Sequence, residues 1–257
     1  NTERIDVSTK LGYVFPDMPF QSIGFQNALN IHDQESYFGL NQYNIKQKSY
    51  YSNLIFNSII DNTMNKFSTG INFAYDKYEE FVNRFDHSRT DNSLGIFFEY
   101  TYDDSDKFSY ILGGRFDYHN RLGGFFTPRL HVKYNPWEKA VLRFSIGRGK
   151  RAANIFAENQ NLFASSRTFS ILDTNGKIYG LDPEIAWNYG VSFMQKYTVF
   201  DKKGDITFDF YRTDFQNKVV VDWENPQEIS FYDLVGQSIA NSFQVEINYN
   251  LAANFNV

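Results

Sequence analysis

The stretch Ser242-Phe243-Gln244-Val245-Glu246-Ile247-Asn248-Tyr249-Asn250-Leu251 alternates polar and apolar residues with a period of two. On a strand, Phe243, Val245, Ile247, Tyr249 and Leu251 share one face and Ser242, Gln244, Glu246, Asn248 and Asn250 the other. Such a strand separates an apolar medium from a wet one. The apolar medium is either a protein core or a lipid bilayer, and the choice governs function.

The same pattern recurs along the chain. It predicts strands at about 3–15, 20–32, 46–60, 65–80, 92–103, 107–118, 126–135, 140–151, 184–200, 205–223 and 238–251, with a twelfth beginning at Asn254. The connections alternate between short turns (Pro16 to Pro19, Asp61 to Asn65, Asp103 to Asp106, Asn135 to Lys139, Asp201 to Gly204, Ala252-Ala253) and longer loops (33–45, 81–91, 119–125, 152–183, 224–237). Short turns on one side and long loops on the other describe an up-and-down meander. A Greek-key sandwich would not keep that parity.

The faces favour lipid over a soluble sandwich core. The expected outward sets are Phe67, Ile71, Phe73, Tyr75; Leu94, Ile96, Phe98, Tyr100, Tyr102; Phe108, Tyr110, Leu112, Gly114, Phe116, Tyr118; Leu130, Val132, Tyr134; Leu142, Phe144, Ile146; Trp187, Tyr189, Val191, Phe193; and Ile206, Phe208, Phe210. None holds a charge. A lipid-facing Lys or Arg at mid-bilayer costs roughly 2–4 kcal/mol, so a bilayer would impose that absence. Aromatics gather near strand ends, at Tyr100, Tyr102, Tyr118, Tyr134, Trp137, Trp187 and Tyr197, as interfacial girdles do.

Composition agrees. The 257 residues include 27 Phe, 18 Tyr and 3 Trp, more than one compact core consumes, while mean hydropathy stays negative. No apolar run approaches the roughly 18 residues of a membrane helix, so any crossing is by strands. With no cysteine, disulfides, thiolate metal sites and cysteine nucleophiles are excluded. The net charge of −5 argues against nucleic acid as a partner. No signal peptide stands at Asn1, and the chain reads as a piece of a longer exported protein.

From Phe126 to Leu251 a set of motifs follows in order. These are Thr127-Pro128-Arg129-Leu130, Tyr134-Asn135-Pro136, Arg143 to Arg151 with Gly147-Arg148-Gly149, Asn154 to Asn159, Ala164 to Arg167, and Pro183-Glu184-Ile185-Ala186-Trp187-Asn188-Tyr189-Gly190. With them the chain resembles the barrel of TonB-dependent outer-membrane receptors. The resemblance implies an all-β transmembrane antiparallel barrel of about 22 strands around a globular plug, with 11–12 strands in this chain. Residues 1–257 then form a partial barrel domain, with the plug, an energy-coupling box and the final strands outside it. It further implies uptake of a scarce, bulky nutrient (a ferric siderophore, cobalamin or a similar complex) in the outer membrane of a Gram-negative bacterium. The partners it implies are outer-membrane lipid and lipopolysaccharide, the plug, the TonB energy-coupling complex and the ligand. No enzyme activity and no cofactor are expected.

Two alternatives compete with that reading: a phospholipase-like barrel hydrolase and a soluble β-sandwich binding module. His32, His87, His119 and His131 show no metal-ligand spacing, and no Gly-x-Ser-x-Gly elbow is present, so no catalytic or metal residue is expected. Glu99, Arg115, Arg129, Lys133, Arg143 and Glu246 fall on the wet face, where they would pair with one another or with the plug. Arg143, Arg148, Lys150 and Arg151 read either as an anion site or as charges set in headgroups. The connection 152–183 is long and apolar enough to be structured. An Asn175-Gly176 type I′ turn is expected within it. Asn154, Asn159, Gln160, Asn161 and Arg167 are its candidate ligand contacts; the competing reading is that they satisfy the loop's own backbone.

Overall fold

The computed structural model describes residues 1–173, 175–252 and 255–256, with side chains as far as Tyr249. In chain order the elements are β1 (Thr2–Phe15), β2 (Met18–Phe38), β3 (Asn41–Ile60), β4 (Asn62–Val82), β5 (Phe85–Asp86), β6 (Arg89–Asp103), β7 (Phe108–His119), β8 (Gly123–Tyr134) and β9 (Ala140–Arg151). Then follow a one-turn helix α1 (Ile155–Glu158), a 3-10 turn (Gln160–Ala164), β10 (Thr168–Ile171), β11 (Glu184–Val199), β12 (Lys202–Asn217), β13 (Val219–Asp222), β14 (Glu228–Asp233), β15 (Ser238–Ala252) and β16 (Phe255–Asn256). Twelve of these make one wall in the order β1-β2-β3-β4-β6-β7-β8-β9-β11-β12-β15-β16, each antiparallel to the next. Among the described residues β1 pairs only with β2, so the wall is open. A second, small sheet, β10-β14-β13, stands apart from it.

Register carries the period-two pattern from strand to strand. Reading across the wall, Leu11, Phe25, Leu54, Ile71, Ile96, Phe116 and Phe126 stand opposite one another in turn, all exposed. On the other face the row is Gln26, Asn53, Asn72, Gly95 and Asp117. Gly95 has a specific task there. A Cβ on it would lie 2.1 Å from Asp117 Oδ1, and the space it leaves lets Arg115 of β7 reach past β6 to Asn72 of β4 at 2.8 Å. Leu251 and Asn250, assigned to faces from the sequence, lie outside the described side chains, and Asn254 outside the described residues.

The wall has a strand in each expected region, although the expected 205–223 is divided in two, and the turns keep to one side and the loops to the other, but the loop lengths need correction. Residues 33–45 are not a loop: β2 runs on to Phe38 and β3 starts at Asn41, around a turn with Gly39 at φ 65°. Residues 81–91 are largely strand as well. The physical reason lies on the apolar face, which ends at the cross-strand pair Tyr50–Tyr75 and continues with Lys48 opposite Lys77 and Lys46 opposite Glu79. Beyond that line the outer face is charged and exposed, while on the inner face Tyr43, Ile45 and Val82 are covered by residues from later in the chain, so the outward apolar alternation stops although the hydrogen-bond ladder does not. The hairpin strands β2–β4 reach 21, 20 and 21 residues, against the roughly 9–11 that a membrane strand needs.

Two further corrections concern the long connections. The expected strand 205–223 breaks at Lys218: β12 stays in the wall and β13 leaves it to pair with β14, which occupies part of the expected loop 224–237. The type I′ turn lies at Tyr179-Gly180, where both φ values are positive (56° and 86°) and Ile178 bridges Leu181. Gly176 has no left-handed φ. Its Cα instead packs close against the Leu181 backbone.

Candidate functional site

Residues 152–173 and 175–183 fold, with β13 and β14, into a module that sits on the inner face of the projecting strands. Its core brings Tyr43 and Ile45 of β3 and Val82 of β4 against Ala153, Ile155, Phe156, Phe163 and Leu181, with Val219 of β13 and Ile229 and Phe231 of β14. Tyr43, Phe163 and Phe231 are fully buried. Phe156 makes edge-on contacts with Tyr179, Phe169 and Phe231, and Phe163 lies 4.7 Å from Phe169. Offset and T-shaped geometries of this kind add to the area term.

Beneath that core lies a buried polar knot. Glu80 is 0% exposed and accepts from Tyr43 Oη at 2.9 Å, from Arg89 Nη1 at 3.1 Å and from Tyr179 Oη. Arg89 donates onward from Nε to Asp91 at 3.0 Å, from Nη1 to Tyr179 Oη at 2.7 Å and from Nη2 to Asn154 Oδ1. Its guanidinium plane is held by the Tyr78 ring at 4.0 Å and the Tyr179 ring at 4.7 Å. Burial, then the charge of Glu80, raises the pKa of Tyr43 and Tyr179, so both remain phenols. Burial also pushes Tyr78 up to about 12. For Arg89 burial opposes the charge, and Tyr179, Glu80 and Asp91 outweigh it, so its pKa is raised. His87 packs on Phe156 at 4.8 Å and Tyr179 at 5.7 Å, and burial lowers its pKa despite Glu80 and Asp86 nearby.

The five candidate contacts of the loop are spent unevenly. Asn154 binds Arg89, Asn159 Nδ2 donates to Ile155 O at 2.7 Å, Gln160 accepts from Gln34 at 3.0 Å, and Arg167 donates to Trp223 O at 2.6 Å. Asn161 is exposed. Four of the five therefore tie the module to itself or to the projecting strands.

The wet-face charges also divide. Arg129 pairs with Glu99, Arg115 with Asp117 at 2.7 Å, and Glu246 accepts from Asn248 at 3.0 Å. Lys133 and Arg143 stand directly opposite each other, and neither has an ion-pair partner among the described residues. Arg148 lies over Phe125 and donates to Gln216 at 2.9 Å, Lys150 covers the same ring, and Arg151 donates to Glu184 at 2.9 Å and Glu158 at 2.9 Å. Each of these three is engaged by a partner within the protein.

The histidines do not converge. His32 contacts Gln34 at 3.3 Å, and His119 Nδ1 accepts from the backbone N–H of Arg121 at 3.1 Å. His131 stands opposite Ser145 with no hydrogen bond between them among those described. No three His, Asp or Glu among the described residues are placed to hold a metal.

Sequence reasoning missed Glu80, Arg89, Tyr43 and Tyr179. Glu80 and Arg89 stand nine residues apart, but Tyr43 and Tyr179 meet Glu80 from 37 and 99 residues away, and no local pattern marks the four together.

Comparison with known proteins bears on the wall. Residues 4–256 match the family model described as "TonB dependent receptor-like, beta-barrel". Among solved structures, a mutant of the ferric enterobactin receptor PfeA from Pseudomonas aeruginosa superposes with a TM-score of 0.67 at 14% identity, over 98% of this chain and 42% of that one. The siderophore receptor PirA from the same organism gives 0.63 at 14% identity, over 99% and 55%. The Serratia marcescens hemophore receptor HasR, in complex with HasA and heme, gives 0.63 at 12%, over 97% and 46%. At these identities the likeness is one of fold, and the chain spans about half of each receptor. No curated protein sequence matches.

Proposed function

Because the chain belongs to the TonB-dependent receptor-like β-barrel family, we propose that it forms part of the wall and roof of an outer-membrane receptor that binds a bulky nutrient and passes it inward without covalent chemistry. In this reading residues 1–257 are a portion of the barrel domain, the apolar face meets outer-membrane lipid of a Gram-negative cell, and the polar face lines the lumen around a plug. Glu99, Arg115, Arg129, Lys133, Arg143 and Glu246 then face that plug. The TonB complex supplies energy from the periplasmic side.

One observation carries the proposal: an antiparallel wall with a largely apolar, solvent-accessible outward face holds a folded module over its opposite, polar face. A roof in that place can select what enters. The cargo class we propose is a metal chelate of the ferric-siderophore kind, as PirA and PfeA bind, with heme and cobalamin in the same size range. Asn161, exposed on the roof, is the member of the candidate set best placed to meet it.

The test is deletion of residues 155–178 in the full-length protein, followed by ligand binding to outer membranes and by iron-limited growth on ferric siderophores. Loss of both with the barrel still heat-modifiable supports the reading. Unchanged affinity refutes the roof's role.

A further inference from the structure

Tyr179 is the one residue of the knot that comes from the turn of a hairpin. Its φ of 56° lies in the left-handed region, which is uncommon and strained for a bulky side chain. The other positive-φ non-glycine residues described, Asp61, Asn83, Ser105, Lys139, Phe200 and Asp201, lie at tips of wall hairpins. Tyr179 alone among them inserts its ring into a protein interior.

What holds it there is a preformed receptor for a phenol. Glu80 accepts the hydroxyl proton, Arg89 donates to the hydroxyl oxygen at 2.7 Å, and the guanidinium of Arg89 and the imidazole of His87 lie against the ring. Glu80 and Arg89 sit on rigid strands and remain paired with each other at 3.1 Å, with Tyr43 and Asp91 as independent partners. The socket is thus fixed to the wall, and only its occupant belongs to the hairpin.

We propose that Glu80 and Arg89 form a phenol-binding socket on the projecting wall, and that the hairpin at 177–181 is a releasable latch whose Tyr179 occupies that socket and holds the roof module down. Backbone strain at Tyr179 opposes the latch; the ring contacts and the buried hydrogen bonds favour it, and losing the hydroxyl leaves Glu80 and Arg89 each short of a buried partner. Another para-substituted phenol fits the same socket once Tyr179 has left. The inference does not depend on what the receptor transports.

The test is hydrogen exchange, read by mass spectrometry on the full-length protein in detergent, with p-cresol as the probe. In Tyr179→Gly the strain is relieved and the socket vacated. Exchange over 153–163 should rise on the order of tenfold or more while wall strands β6 to β8 stay protected, and p-cresol should restore most of the protection. p-Cresol should leave the unmodified protein unchanged. Unchanged exchange in Tyr179→Gly overturns the latch, and raised exchange that p-cresol does not lower overturns the socket. Should Tyr179→Gly loosen the wall as well, Tyr179→Phe decides. That variant keeps the ring and loses only the hydroxyl; raised exchange over 153–163 supports the latch and unchanged exchange overturns it.

Discussion

The wall and the roof module solve the same problem in opposite ways. In the wall, backbone ladders satisfy the peptide groups and the large apolar side chains point outward, exposed until another medium covers them. Of the buried apolar residues described, only Ala140 belongs to the membrane-sized part of the wall. The module instead buries Phe156, Phe163 and Phe231 against one another and pins the result with an enclosed ion pair. In the proposed reading a bilayer does for the wall what a hydrophobic core does for the module. It follows that core mutations should injure the roof and spare the wall, and lipid-face mutations the reverse.

The largest separation should come from the core. Phe231→Ala leaves a cavity among Phe156, Phe169 and Ile229 and should cost about 3–5 kcal/mol of module stability. Exchange over 153–171 should rise while β6 to β8 stay protected. Arg89→Leu, which strands Glu80 in a buried site without its cation, should cost a comparable or slightly smaller amount, about 3–5 kcal/mol; Arg89→Leu combined with Glu80→Leu should recover part of it, measured by the same exchange. Ile71→Lys places a charge on the apolar face and should cost about 2–4 kcal/mol in a bilayer. Its signature is a lower folded yield in lipid vesicles with no change in roof exchange.

The smallest effect concerns pH. Burial lowers the pKa of His87 below its ordinary 6.5, against Glu80 and Asp86 and with Arg89 beside it. The unfolded state therefore binds the proton more readily than the folded one. The contribution of His87 is fully present above about 6.5 and is lost as pH falls through the folded value. Roof exchange, corrected for intrinsic rates, should rise on acidification below 6.5, and His87→Phe should flatten that rise.

The wall was legible because a one-sided apolar face imposes a local rule. Phe108, Tyr110, Leu112, Phe116 and Tyr118 disclose their face within a dozen residues, and each strand repeats the message. Where the surroundings change, the rule lapses: Asp33, Lys46, Lys77 and Glu79 belong to strands as regular as any, yet with water on their outer face and the module on the inner one they read as loop. The module was legible as structured, from Phe156, Phe163 and Phe169, but not in its anchorage. Tyr179 meets Glu80 across 99 residues of chain, and Asn154 meets Arg89 across 65, through tertiary contacts that no spacing announces. Asn175-Gly176 offered the better turn dipeptide, and the hairpin nevertheless turned at Tyr179-Gly180, where the tyrosine gains the socket.

Since the chain has no cysteine, single cysteines placed along β4 from Phe67 to Val82 in the full-length protein can be labelled from water or quenched from lipid. Between Phe67 and Tyr75, alternate positions (67, 69, 71, 73, 75) should respond to the lipid-phase quencher and the others not. From Lys77 onward no position should respond to it. Quenching that fails to alternate below Tyr75, or that continues at 77 and 79, would contradict a wall that leaves the bilayer at the Tyr50–Tyr75 pair and carries its roof above it.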